Sequence, residues 1–403
     1  MNSVLKGKKI VFAVTGSIAA YKAVDIASKL TQSDVSLHIL LTKEAAEFVT
    51  PLSFQNISRQ KISTDLFSNE DNAYLQHLES TYNADAFLIA PATANTIAKL
   101  ATGIADDLVS TAFLAATCPV IIAPAMDLNM YENPSTQTNV KILQKRGVIF
   151  AGPEQGRLAS GKIGKGRLMG ANNIIDLLKT TLGASGDFTG KRIIITAGPT
   201  VEHIDPVRII TNPSSGKMGF ALATASRDRG AAVTLISGPT RLEAPFGITK
   251  IDVKSAKHMY DAVLKSAAKA DILIMAAAVS DFRPTNQLTT KEKKSVAKLT
   301  LPLEPTEDIL ASVPNSLLKI GFAAETENVE RNATAKLLTK NLDLIIANDI
   351  SNPDIGFASD VNQVSIITRD GSVIRRPRLP KSEVAGKILD FIKTLDSGNI
   401  SPN

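Results

Sequence analysis

The chain opens in the same way twice. Lys8–Ser17 reads KKIVFAVTGS and Lys191–Thr200 reads KRIIITAGPT: a basic flank, a β-branched apolar run, then a small-residue loop leading into a helical pattern. Such an opening starts a βαβ unit, in which backbone N–H groups at a helix N-terminus can face a phosphate. Two of them predict two nucleotide-type domains, hence two chemistries in one chain. Neither loop matches GxGxxG or GxxxxGK[ST], so the dinucleotide fingerprint and the P-loop both fail.

The 403 residues exceed one ordinary core and fit two or three domains. A single cysteine, Cys118, excludes an intramolecular disulfide framework and fits a reducing compartment. Lying just before the apolar run Val120–Ala123, it reads as a core thiol. No apolar stretch reaches the roughly 18 residues of a membrane span. The first lysines, Ile10–Val14 and Ser17–Ala20 imitate a signal peptide, but the run is short and continues into a helix. A net charge of +6 implies anionic partners. Lysines gather at Lys291, Lys293, Lys294 and Lys298; arginines at Arg375, Arg376 and Arg378 read as a solvated face. Tryptophan is absent and no RNA- or DNA-binding signature appears, which favours phosphorylated small molecules over nucleic acid.

Periodicity then orders the chain. Ile10–Val14, Val35–Leu41, Ala86–Ala90, Val120–Ala123 and Val148–Ala151 read as strands, and Ala19–Thr31 as a helix with Ala23, Ile26, Ala27 and Leu30 on one face. Ligands of open parallel sheets sit beyond the carboxyl ends of strands, so Gly16, Ser17, Thr42, Pro91–Asn95 and Pro124–Asp127 should converge on one crevice. Thr42 is placed to cap the helix that follows it. Gly183–Gly190 (GASGDFTG) reads as a linker between domains 1–182 and 191–403. The second half restarts with strands Ile193–Thr196, Val233–Ile236, Ile272–Met275 and Leu342–Ala347, a helix around Gly219–Arg229, a hairpin at Asp370-Gly371 and a closing helix Lys381–Leu395.

The loop Pro91-Ala92-Thr93-Ala94-Asn95 lets backbone approach a flat ring or a phosphate, with Thr93 and Asn95 fixing orientation. His77 lies upstream of the strand that feeds it. Asp106-Asp107 has no His or Cys beside it, so no metal site is expected in this half.

GSIAAYK (Gly16–Lys22), the His77 segment, PATANT (Pro91–Thr96), PAMDLNMY (Pro124–Tyr131) and GRLASGKIGKGR (Gly156–Arg167) resemble, in order, the flavin-dependent cysteine decarboxylases. ITAGPT (Ile195–Thr200), DPVRIITNPSSGKMG (Asp205–Gly219), AAAVSDFRP (Ala276–Pro284), GFAAET (Gly321–Thr326) and KNLDLIIAND (Lys340–Asp349) resemble phosphopantothenate–cysteine ligase. Together they follow the order of the bifunctional bacterial enzyme of coenzyme A biosynthesis. The resemblance implies an α/β chain: an N-terminal flavodoxin-like or Rossmann-like flavoprotein domain and a C-terminal Rossmann-like ligase domain. It implies a homo-oligomeric cytoplasmic enzyme that joins 4′-phosphopantothenate to cysteine with CTP, through an acyl-cytidylate, and decarboxylates the product to 4′-phosphopantetheine with FMN. Mg²⁺ is expected with the triphosphate rather than in a protein metal site, and neither nucleic acid nor membrane is an expected partner.

Residue by residue, the resemblance implies that Gly16, Ser17, Thr42, Pro91, Ala92, Thr93, Asn95 and Asp107 hold FMN, with His77 in the decarboxylase chemistry. It places Asn212 at the acyl-cytidylate and Lys291 at the family's essential lysine. The remaining nucleotide residues are Gly198, Met275, Ala276, Ala277, Asp281, Thr306, Glu307, Asp308, Ile309, Phe322, Lys336 and Lys340, although TEDI at Thr306–Ile309 departs from the usual NPDI.

Two departures fall on decarboxylase chemistry. Asp127 stands where the pattern is PAMN, and Ser160 where the flap LACGD carries cysteine. In the family mechanism FMN oxidises the cysteine moiety, CO₂ leaves, and the flap thiol protonates the resulting enethiolate. A hydroxyl is a far weaker acid than a thiol of pKa about 8.5. The expectation is therefore that Asp127 replaces the thiol as the acid, its pKa raised by the substrate carboxylate and by desolvation. Lys162 is the competing donor, and a simple bond from Asp127 to backbone N–H groups after Met126 is the plainer role. Two other readings stay open: a ligase with a degenerate flavin domain, and an interaction or regulatory protein with both sites vestigial.

Overall fold

The structure, a computed structural model, describes residues 4–60, 62–66, 81–291, 300–349 and 359–396; His77, Lys293, Lys294 and Lys298 lie outside them. The chain forms two compact units, residues 2–182 and 183–403.

In the first unit, apolar runs become strands buried on both faces. β1 (Lys9–Val14), β2 (Ser36–Leu41), β3 (Ala86–Ala92), β4 (Val120–Pro124) and β5 (Ile149–Phe150) form a parallel sheet in the order β2-β1-β3-β4-β5. After the exposed Lys9 every residue of β1 is buried, as in a sheet covered on both sides. Register aligns Val14 with Leu41 and Ala13 with Ile89, so the loops after β1, β2 and β3 leave along one edge. Helices cover the faces: α1 (Ala20–Gln32), α2 (Lys43–Ala46), α3 (Pro51–Ser58), α4 (Ala94–Thr102), α5 (Leu108–Ala115), α6 (Leu128–Glu132), α7 (Pro134–Lys145) and α8 (Ala171–Gly183). On α1 the buried side chains are Ala20, Ala23, Ile26, Ala27 and Leu30, one helical stripe. A separate antiparallel hairpin, β6 (Glu154–Arg157) and β7 (Ile163–Arg167), forms a flap.

The second unit carries an eight-stranded sheet. Its parallel strands are β8 (Arg192–Ala197), β11 (Ala232–Ser237), β12 (Thr249–Asp252), β13 (Ile272–Met275), β16 (Leu318–Glu325) and β17 (Leu344–Asp349), in the order β12-β11-β8-β13-β16-β17; β19 (Val364–Thr368) and β20 (Val373–Arg375) extend it antiparallel. Counted within this unit, that is the doubly wound order 3-2-1-4-5-6, with its switch point between β8 and β13. Residues alternate between the two faces. Ile193 and Ile195 enter one core and Ile194 the other; Ile272 and Ile274 likewise oppose Leu273 and Met275. Small strand pairs add β9 (Val201–His203) with β10 (Ile209–Thr211), β14 (Phe282–Pro284) with β15 (Leu303–Pro305), and β18 (Val361–Asn362) with β21 (Leu379–Pro380). The helices are α9 (Lys217–Asp228), α10 (Ala256–Ala267), α11 (Ile309–Ser312), α12 (Val329–Thr339) and α13 (Lys381–Asp396).

The Gly/Ser-rich segment 183–190 is not a free tether. Gly186 N donates to Gly183 O at 2.8 Å, Thr189 Oγ1 to Gly186 O at 2.6 Å, and Phe188 is fully buried in the core beneath β8 and α9. Composition suggested a linker because one aromatic among small residues carries little weight in a window average. Here that aromatic anchors the segment. Among the described residues no helix is long and apolar enough to cross a membrane.

Candidate active sites

At the carboxyl edge of the first sheet, one buried threonine joins two loops. Thr15 Oγ1 donates to Pro91 O at 2.9 Å and accepts from Thr93 N at 3.0 Å. Ser17 Oγ reaches the third loop, donating to Ala125 O at 3.1 Å, and Ala125 N donates to Ala92 O at 3.0 Å. Thr42 N donates to Val14 O at 3.1 Å, and Thr42 Oγ1 caps α2 by accepting from Ala45 N at 3.2 Å. Gly16 is required by close approach, since a Cβ there would lie 2.4 Å from Glu44 Cβ. The expected convergence of Gly16, Ser17, Thr42, Pro91–Thr93 and Pro124–Asp127 is therefore present. Asn95 sits exposed in the first turn of α4.

Asp107 is committed to structure. Its carboxylate caps α5 in a reciprocal pair with Ser110 and binds Lys99 at 2.8 Å. Burial pushes the Asp107 carboxyl up, but the Lys99 ammonium and the Ser110 donors outweigh it and hold it below its ordinary value. Hydrogen bonds from Lys99 to Asp106 and Asp107 raise the lysine to about 12. The aspartate pair thus holds a lysine. Among the described residues no group of three or more His, Cys, Asp or Glu is placed to hold a metal ion.

A cleft of about 600 Å³ opens beside these loops, bounded by Ser17 and Lys22 on one side, Met126 and Asp127 beneath, and Arg157 and Ser160 of the flap. The Asp127 carboxyl, expected to be raised by a substrate carboxylate and by desolvation, is held down by its own neighbours. The Ser160 hydroxyl donates to Asp127 Oδ2 at 2.6 Å, Asn129 N donates to Oδ1 at 3.1 Å, and Lys162 adds attraction. These hold the carboxyl below its ordinary value and outweigh the desolvation that opposes them. Bonding to backbone after Met126 is present, through Asn129 N, together with the Ser160 contact.

The second site lies at the β8–β13 switch point. Thr196 Oγ1 accepts from Ala277 N at 3.1 Å, Ala278 N donates to Gly198 O at 2.9 Å, and Ser280 N donates to Thr200 Oγ1 at 2.9 Å. Gly198 and Gly216 meet here with φ of 73° and 77°; a Cβ on either would lie 2.8 Å from Thr240 Cγ2. Asn212 is held by its amide, Nδ2 donating to Ala278 O at 3.3 Å and Val279 O at 3.2 Å. Thr306 joins the same loop, its N donating to Asp281 O at 2.9 Å and its Oγ1 to Ser280 O at 2.7 Å. Lys336 Nζ donates to Phe322 O at 3.1 Å, and Lys340 pairs with Asp308, which also caps α11. Glu307 is tied to Arg283 at 3.0 Å. These contacts bring Gly198, Ala277, Asn212, Asp281 and Thr306 together, with Lys340 tied to the Thr306–Ile309 segment through Asp308; Lys336 and Phe322 bond each other. Lys291 stands exposed at the end of segment 285–291, where Leu288 N anchors to Ile204 O at 2.9 Å; among the described residues it pairs with no carboxylate.

Sequence reasoning missed Thr15, Thr196 and Ser280. Threonine ending an apolar run reads as strand, and only the fold shows its hydroxyl turned to a neighbouring loop. Ser280 is buried, yet its Oγ has no hydrogen-bond partner among the described residues.

These features define a class: two open α/β units in one chain, each with a site built at the switch point of its own sheet. Residues 2–183 match the Flavoprotein family and residues 188–395 match the DNA/pantothenate metabolism flavoprotein C-terminal domain. The chain belongs to the CoaBC family of bifunctional coenzyme A biosynthesis proteins. It is 44% identical over 397 residues to the coenzyme A biosynthesis bifunctional protein CoaBC of Bacillus subtilis (strain 168), covering 97% of this chain and 98% of that protein. The CoaBC of Escherichia coli (strain K12) is 42% identical over 394 residues, with 96% of each chain covered. The solved C-terminal domain of a CoaBC protein is 43% identical and covers 53% of this chain and 100% of its own, with a TM-score of 0.46.

Proposed function

We propose that the C-terminal unit condenses 4′-phosphopantothenate with cysteine at the expense of CTP, and that the N-terminal unit decarboxylates the product with FMN to give 4′-phosphopantetheine. One observation carries this reading: at each switch point a long helix, α1 or α9, begins with no acidic residue in its first turn, and the loop before each carries hydroxyls, Ser17 in one case and Ser214 and Ser215 in the other. A helix N-terminus with no carboxylate beside it suits a phosphate.

In the N-terminal unit, Lys22 and the flap arginines beside the Ser17 loop form a cationic set that fits the phosphate of FMN, and the small residues Ala92 and Ala125 leave room for a flat ring. Bound there, FMN would supply the two-electron chemistry that makes the carboxylate leave. The chain's own residues bind and orient the substrate, and the flap keeps water from the cleft. His77 is carried by the family resemblance alone, since it lies outside the described residues.

In the C-terminal unit, Lys291, Lys336 and Lys340 would offset the charge of a triphosphate and of the carboxylate attacking it. Asn212, its amide nitrogen held by two carbonyls, is the residue for the acyl-cytidylate, and the Ser280 hydroxyl, without a hydrogen-bond partner among the described residues, is a further contact for a ligand. Mg²⁺ would travel with the triphosphate, held by phosphate oxygens and water. The reading places the enzyme in the cytoplasm as a homo-oligomer. Exposed apolar side chains on both units, Tyr21 and Leu52 in one and Val207 and Phe282 in the other, support self-association.

A coupled assay with 4′-phosphopantothenate, cysteine and CTP tests the proposal. Both pyrophosphate and CO₂ are expected. Pyrophosphate without CO₂ would leave a ligase only; neither product would overturn the reading.

A further inference from the structure

The flap and the loop after β4 meet with almost nothing between them. Met126 N donates to Gly166 O at 3.0 Å. A Cβ on Gly166 would lie 2.3 Å from Met126 O, and one on Gly164 2.7 Å from Leu128 Cδ2. The base of β7 is thus seated on residues 126–128 by shape. Its tip is seated by polarity: Ser160 Oγ donates to Asp127 Oδ2 at 2.6 Å, while Asp127 Oδ1 accepts from Asn129 N at 3.1 Å. One oxygen starts α6 and the other holds the flap, so each carboxylate oxygen has a partner.

We propose that Asp127 and Ser160 are a matched positioning pair, acceptor and donor, that holds the flap tip down over the cleft. The role of the pair in turnover rests on the decarboxylase reading of this unit; the pair itself rests on the contacts above. Charged groups around it are Lys162 at the tip and Lys22, Arg157 and Arg167 lining the same cleft. All are cations, and Lys162 favours the ionised carboxylate that the pair requires. The Ser160 proton is directed at Asp127, so Ser160 positions the flap and does not deliver a proton to substrate.

Polarity decides what each exchange does. Ser160→Ala removes the donor. Ser160→Cys offers a thiol, a weak donor, to a carboxylate. Asp127→Asn keeps one oxygen for the Asn129 N–H and turns an N–H toward position 160, where a hydroxyl can still accept. Combining the last two sets an amide N–H against sulfur and restores complementarity with its direction reversed.

The test is hydrogen exchange of segment 157–163 in the full-length, flavin-loaded protein. Its amides Leu158 N and Gly161 N bond within the tip, to Lys162 O and Leu158 O. Ser160→Ala and Ser160→Cys should each speed exchange there about threefold or more, with the rest of the unit unchanged. Adding Asp127→Asn to Ser160→Cys should recover part of the protection. In turnover, Ser160→Ala should raise KM about threefold or more and leave kcat within about twofold. Unchanged exchange in Ser160→Ala, further loosening when Asp127→Asn is added to Ser160→Cys, or a hundredfold loss of kcat at constant KM would each overturn the pair. A wild type that releases no CO₂ but whose flap responds as described would sink the decarboxylase reading and keep the pair.

Discussion

The two sheets solve the same problem at their switch points with the same residue type. Thr15 and Thr196 are both fully buried at the end of the first strand of their unit, and each accepts a backbone N–H from the loop after the neighbouring strand, Thr93 N at 3.0 Å and Ala277 N at 3.1 Å. The donating side differs. Thr15 gives its proton to a carbonyl, Pro91 O, whereas Thr196 gives its own to the Met275 sulfur at 3.6 Å, a weak acceptor. The surroundings differ as well. The first site lies under a flap held by a hydroxyl–carboxylate contact; the second is a set of loops in which Lys336 is bonded to a carbonyl and Lys340 to a carboxylate, while Lys291 pairs with no carboxylate among the described residues. A shared scaffold thus positions two sites, and what is laid over the scaffold sets them apart.

Separating the two chemistries gives the largest expected effect. Lys291→Gln should lower CTP-dependent pyrophosphate release by about 10²–10³, the usual loss for one contact to a developing charge. CO₂ release from added 4′-phosphopantothenoylcysteine should be unchanged. A mutant that releases pyrophosphate at the wild-type rate removes Lys291 from the site, and one that loses both products breaks the independence of the units.

The shared threonine is tested by removing its hydroxyl from each unit. Thr15→Val strands the half-buried Thr93 N–H and removes the bond to Pro91 O, and should destabilise its unit by about 1–3 kcal/mol. Thr196→Val should cost about 1 kcal/mol, since its donated bond goes to sulfur, a weak acceptor. Denaturant unfolding of the full chain, followed by probes in each unit, measures both. Equal or reversed costs would show that the donated bond does not set the two threonines apart.

The smallest effect concerns pH and the first unit alone. The folded Asp107 carboxyl is depressed, so its contribution is present above the unfolded carboxylate range and is lost as pH falls through the folded value. The Lys99 ammonium is raised to about 12; its contribution is complete below the ordinary lysine range and disappears as pH rises through that value. Asp107→Asn should therefore lower the melting temperature of the first unit at neutral pH, by a few degrees at most for a partly exposed pair, and the two curves should converge in acid. Parallel curves at every pH would mean that Asp107 stabilises through its neutral cap to α5 alone.

Much of this was legible in the sequence, and the limits have physical causes. Apolar runs ending in small residues located β1, β3, β4, β8 and β13 within a residue or two, because strands buried on both faces need unbroken apolar stretches. β16 escaped, since its Lys319 reads as surface although it is only 3% exposed, bonded through Nζ to Asn315. The flap strands escaped because Glu154–Arg157 and Ile163–Arg167 are short, polar and glycine-rich. The direction of the Asp127 shift was out of reach for another reason. It depends on a hydroxyl 33 positions away, and no local pattern shows which side chain a flap tip will meet.

The Lys340–Asp308 contact makes polyphosphate capture an exchange. On the proposed reading, an arriving triphosphate meets an ammonium that already has a counter-ion, and Asp308 must be released to solvent as the phosphate takes its place. Added electrolyte weakens the resident pair and the incoming one together, so much of the loss cancels. Affinity for the nucleotide should therefore fall less steeply with ionic strength than a count of its charges against the lysines would suggest. Asp308, freed by the substitution, is left to repel any second anion that tries to follow.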